Sequence, residues 1–160
     1  MNLSGTETIA APPAAVWAAL IDPDVLRPLI PGCEAMRGSP ATGYDIVAAR
    51  KVASTELRLT GRVDLLNARP GEGGDLAARG SAGAAGGAHG TARIRLAPLG
   101  AGTRLSWDID AEVEGAIARF PDFVIRMAAG KVAEGFLRRF KAAVEGSPPP
   151  RRGFLGRLAG

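Results

Sequence analysis

At 160 residues, 46% apolar and 22% charged, the chain is long enough for one sizeable core and short for two. No apolar run approaches the roughly 18 residues of a membrane span, and the single cysteine and single histidine exclude an intrachain disulfide and a Cys/His metal site. Acidic and basic residues alternate despite the net charge of +4, and aromatics are only 5%, so no stacking platform for nucleic acid is expected.

Leu3 to Ile9 alternates and stops at Ala11-Pro12-Pro13, as an edge strand does. Val16, Trp17 and Leu20 have helical spacing with Asp22-Pro23 as the stop, and a Pro-punctuated second turn leads into the tight Pro31-Gly32 loop. Tyr44 to Lys51 reads as a strand. Thr55 to Leu66 is clearer, with Leu57, Leu59, Gly61, Val63 and Leu65 on one face and Glu56, Arg58, Thr60, Arg62 and Asp64 on the other. Leu76, Ala78 and Gly80 read as a continuation of that strand, and Ser81 to Gly87 as a Gly/Ala turn. The same parity returns in Ala88 to Leu96 and Leu105 to Val113, joined as a hairpin through Pro98 to Gly102.

After Gly115 the period becomes helical. Phe120, Phe123, Val124, Met127, Ala128, Val132, Phe136, Phe140 and Val144 form one stripe, which predicts a helix from Pro121 to Glu145 of about 37 Å. Pro121 suits a first turn and Asp122 the positive end of the helix dipole; the alternative is a kinked helix starting near Gly115. This order predicts an α+β domain over residues 1–145, a curved antiparallel sheet wrapped around a long C-terminal helix. Residues 146–160 read as a Pro-rich linker and a basic-apolar tail.

The inward face combines small strand residues, Ala78, Gly80, Ala88, Gly90, Ala92 and Ala111, with large helix residues. A dense core would fill that space with the helix side chains. The reading adopted is an apolar pocket lined by Leu57, Leu59, Val63, Leu65, Trp107, Ile109, Phe120, Phe123, Val124 and Met127. No acid, base or nucleophile occupies those positions, so no catalytic residue is assigned; Tyr44 and Trp107 offer one hydrogen bond each to a ligand head group.

His89 lies outside by parity, opposite Asp110, and reads as a solvated cross-strand pair rather than a catalytic dyad. Leu29, Ile30, Pro31, Gly32 and Cys33 form the expected pocket mouth, with Cys33 a small hydrophobe rather than a nucleophile. The glycine-rich Gly83 to Gly90 lacks the ending of a phosphate loop. In the tail, Arg151, Arg152, Phe154, Leu155, Arg157 and Leu158 read either as a weak membrane or partner contact or as a terminus without function.

Ala11-Pro12-Pro13 ahead of Val16-Trp17, Asp22-Pro23 with Leu26, Ile30-Pro31-Gly32-Cys33-Glu34, Lys51-Val52 and Gly61-x-Val63 together resemble the carbon monoxide dehydrogenase CoxG family. That family belongs to the helix-grip, START-like (SRPBCC) superfamily of hydrophobic-cavity domains. The resemblance implies a non-catalytic carrier of a hydrophobic small molecule such as a quinone, with no other cofactor. It further implies a partner, a molybdenum-containing carbon monoxide dehydrogenase or related oxidoreductase, recruited to the cytoplasmic side of the cell membrane by weak peripheral contact. The alternative is a cyclase or hydrolase of the same fold acting on an apolar substrate; a filled-core interaction module is the third class.

Overall fold

A computed structural model describes residues 1–52 and 54–146. Period-two alternation builds a seven-stranded antiparallel sheet from β1 (Asn2–Ile9), β2 (Cys33–Ser39), β3 (Gly43–Val52), β4 (Thr55–Arg69), β5 (Gly73–Ser81), β6 (Gly87–Leu99) and β7 (Gly102–Glu114). The order β1-β7-β6-β5-β4-β3-β2 places β1 and β2, neighbours in sequence, on opposite edges. Between them the chain forms α1 (Pro13–Leu20), α2 (Pro23–Leu26) and a 3-10 turn at Arg27–Leu29. The long helix α3 (Asp122–Val144) completes a helix-grip fold.

Two strands differ from the sequence reading. β2 is not among the predicted strands, because a bulge between Cys33 and Ala35 shifts its register against β3 and breaks the alternation that would reveal it. Leu76, Ala78 and Gly80 belong to β5, not to β4. The chain reverses at Pro70-Gly71, where the Glu72 N–H donates to the Arg69 carbonyl at 2.8 Å, and β5 then pairs back with Leu65 opposite Leu76.

The core sits at one end of the sheet, where Ile9, Ala11, Val16, Leu26, Leu29, Leu96, Leu105 and Phe140 pack together. Phe140 is fully buried and its ring stacks on Phe136 at 6.1 Å. The Thr103 hydroxyl, also fully buried, donates to the Ala11 carbonyl at 2.7 Å, so the polar group enters the core with its hydrogen bond made.

α3 starts after Pro121, whose extended ψ of 147° makes it the residue before the first turn. A 3-10 turn at Gly115–Arg119 precedes it in place of a kinked helical extension. The helix packs on β1, α1 and the 27–29 turn. Arg126 Nη1 donates to the Asn2 carbonyl at 2.8 Å, Arg139 Nε to the Leu29 carbonyl at 2.8 Å, and Glu145 Oε2 accepts from the Ala10 N–H at 2.8 Å. α3 is therefore tied to one edge of the sheet and to its closed end. Phe120, Phe123 and Met127, around the helix start, are 58%, 66% and 57% exposed.

His89 faces outward on β6. Its register partner is Glu112 rather than Asp110, because the hairpin closes with Leu99 opposite Gly102, tighter than a Pro98 to Gly102 loop. The ring lies 3.7 Å from Glu112 and 3.4 Å from Glu114, with its side chain 54% exposed. His89→Ala should therefore change stability by under about 1 kcal/mol; a urea midpoint shifted by more than that would place the ring in a structural network.

Candidate ligand-binding cavity

Between the sheet, α1 and the middle of α3 lies a cavity of about 600 Å3, within the size range of small-molecule sites. Its floor comes from inward positions of the strands. Val63 and Leu65 of β4, Leu76 of β5, Ala92 and Ile94 of β6, and Leu105, Trp107, Ile109 and Ala111 of β7 line it. Leu3, Met36 and Ile46 extend the floor toward both edges. Ala129, Val132, Ala133, Phe136 and Leu137 of α3 form the roof, and Trp17, Leu20, Ile21, Leu26, Ile30 and Pro31 close one end. Val132, 70% exposed, and the exposed Pro31 mark where the chamber meets solvent.

Period two explains the floor. Leu65, Leu76, Ala92, Ile109 and Leu3 stand in one cross-strand row, with Ile94 and Trp107 in the next. The small side chain of Ala92 lies between the larger Leu76 and Ile109, and with Ala111 it leaves the floor low. Trp107 lies flat over β1 because Gly5 has no side chain: a Cβ there would stand 2.6 Å from its Cζ2 and 3.0 Å from its Nε1.

Polar atoms contribute almost nothing to the wall. The Tyr44 side chain is buried, and its hydroxyl donates to the Ile21 carbonyl at 2.7 Å. Burial, and secondarily the charge of Asp22, raise its pKa above the ordinary 10.0. Among the described residues, Arg139 is the one charged side chain on the wall, and its Nε is engaged by Leu29. The Met1 amino group donates to the Ala111 carbonyl at 2.9 Å.

Tyr44→Phe should cost about 1 kcal/mol at neutral pH. It should also remove an alkaline dependence. An unfolded tyrosine ionises near pH 10 and the folded one only above that, so the unfolded state loses its proton first and stability falls as pH rises from 10 through the folded value. The chain has one tyrosine, so phenolate absorbance with urea midpoints above pH 10 reads this directly; equal slopes in wild type and Tyr44→Phe would contradict it.

Of the ten residues read from the sequence as pocket-lining, the structure brings Val63, Leu65, Trp107 and Ile109 to the cavity. Leu57 and Leu59 share their face but sit nearer the start of β4, away from the chamber. Phe120, Phe123, Val124 and Met127, around the start of α3, do not line the chamber and are exposed. At the expected mouth Ile30 and Pro31 line the wall, while Leu29 is buried in the core. Cys33 is the first residue of β2, part-buried, its thiol against the Ala35 carbonyl at 3.4 Å; neither it nor Gly32 reaches the chamber. Arg151, Arg152, Phe154, Leu155, Arg157 and Leu158 lie outside the described residues. Trp17 and Leu20 of the α1 wall are legible in the sequence as an amphipathic turn but not as part of a cavity, because only the chain crossing between opposite edges brings them there.

No helix among the described residues is long and apolar enough to cross a membrane. The family model for the carbon monoxide dehydrogenase protein CoxG matches residues 5–145. No curated protein matches the chain. Among solved structures, a conserved protein of Geobacillus kaustophilus is 21% identical with a TM-score of 0.82, over 92% of this chain and 97% of that one. A protein of Rhizobium leguminosarum is 15% identical with a TM-score of 0.73 over 92% and 95%, and one of Chromobacterium violaceum is 24% identical with a TM-score of 0.66 over 90% and 96%. These likenesses show a shared fold.

Proposed function

The chain belongs to the carbon monoxide dehydrogenase CoxG family, and from that premise we propose that it is a non-catalytic carrier of an apolar small molecule, serving a molybdenum-containing carbon monoxide dehydrogenase or a related oxidoreductase. The observation that carries the reading is the chamber of about 600 Å3 with an almost wholly apolar wall. General acid–base or nucleophilic work needs a titratable group within hydrogen-bond reach of the substrate; here the wall presents almost wholly apolar surface, and among the described residues its one guanidinium, that of Arg139, donates through Nε to a backbone carbonyl. The apolar chain of a quinone, an electron acceptor suited to such an oxidoreductase, fits a wall of this kind.

Delivery to an oxidoreductase at the inner face of the cytoplasmic membrane completes the proposal, with residues 1–145 as the carrier domain and 146–160 as linker and tail. Arg151, Arg152 and Arg157 would each contribute about 1 kcal/mol near an anionic surface, and Phe154, Leu155 and Leu158 about 1.5 to 3 kcal/mol each if buried in it. That suits weak, reversible contact. Native mass spectrometry of the purified protein tests the carrier: a co-purifying adduct released by organic extraction and regained with a decyl-benzoquinone is expected. Absence of any adduct, with no uptake of added quinone, overturns it.

A further inference from the structure

Resting on the carrier reading, we infer that the chamber takes only the apolar chain of its ligand and leaves the polar head group outside, at the opening beside Val132 and Pro31. Among the described residues, almost no polar surface faces the chamber, and the polar groups nearest to it are engaged elsewhere. The Tyr44 hydroxyl is bound to the Ile21 carbonyl at 2.7 Å, Arg139 Nε to the Leu29 carbonyl at 2.8 Å, and the Met1 amino group to the Ala111 carbonyl at 2.9 Å. The Trp107 indole nitrogen is pressed over the backbone at Gly5.

A ring carbonyl brought inside would lose its water without gaining a donor, which weakens binding roughly 5- to 150-fold for each orphaned group; an ionised head would fare worse. Each methylene moved from water to the same wall strengthens binding by about fourfold. Chain inside and head outside is the arrangement that keeps both gains. Among the described residues, Val132 and Pro31 are the two of the wall that are exposed to solvent, and they place the exit between the middle of α3 and the loop before β2. The chamber therefore selects by chain length, and discrimination among head groups falls to whatever meets the protein at that opening.

Calorimetric titration of the full chain with two ligand sets tests this. The first compares unsubstituted benzoquinone with decyl-benzoquinone; the second holds the decyl chain constant and changes the head from quinone to alcohol. Decyl ligands are expected to bind within about tenfold of each other, and the chainless quinone at least about a hundredfold more weakly. A chainless quinone within a hundredfold of its decyl form, or a loss above tenfold on exchanging quinone for alcohol, would show that the head is read inside and overturn the inference while leaving the carrier intact. Failure of every decyl ligand to bind would overturn both.

Discussion

Ala92→Phe will lower the affinity for a decyl-benzoquinone by more than about tenfold while leaving the urea midpoint nearly unchanged. Ala92 lines the cavity floor between Leu76 and Ile109 in the cross-strand row, so a benzyl group projects into empty space rather than into packed neighbours. Excluding even two ligand methylenes forfeits about 1.6 kcal/mol, more than a tenfold change in binding. In a filled core the same substitution would overpack and cost about 1 to 3 kcal/mol of stability. Urea unfolding beside quinone titration separates the two: a collapsed midpoint, with binding in proportion to the folded fraction, would mean that the floor has no room and would remove the basis of the carrier proposal.

Gly90→Leu, two residues earlier on the same strand and the same face, will have the opposite consequence, destabilising the fold by about 3 kcal/mol or more. Gly90 pairs with Ala111, and a Cβ added to it would collide with the Asp110 carbonyl oxygen and stand 2.8 Å from the Ala111 Cα. The missing side chain is what lets the two backbones approach this closely. Gly90 thus serves the close approach of β6 and β7 and does not line the chamber. Gly90→Ala isolates this effect, since one methyl group suffices for the collision. A midpoint within experimental error of wild type for Gly90→Ala would show that β6 and β7 can separate freely and that the pairing does not depend on this glycine.

Ala92 and Gly90 look alike in the sequence: both are small, inward by parity and on one strand. Alternation alone assigns them to the same class, since it records the face of the sheet and not the distance to the neighbouring backbone. The same limit explains the helix. The stripe from Phe120 to Val144 correctly marks one apolar face of α3, yet its first half is exposed and its second half forms roof and core. Which half is covered depends on anchors such as Arg126 on Asn2, Arg139 on Leu29 and Glu145 on Ala10, each joining residues more than a hundred positions apart.

The parity of β4, β6 and β7, the helix beginning at Pro121-Asp122, the outward placement of His89 and the α+β order were all determined by the sequence itself, because they follow from local steric and hydrophobic periods of 2 and 3.6 residues. The family signature around Ile30 to Glu34 added the helix-grip arrangement. Only the tertiary structure decided that β2 exists behind a bulge, that α1 walls the chamber, and that the void lies under the middle of α3 rather than its start. Those outcomes depend on long-range pairing and on the angle at which one helix crosses a curved sheet. Such quantities are set by contacts between residues far apart in the chain, and no local period records them.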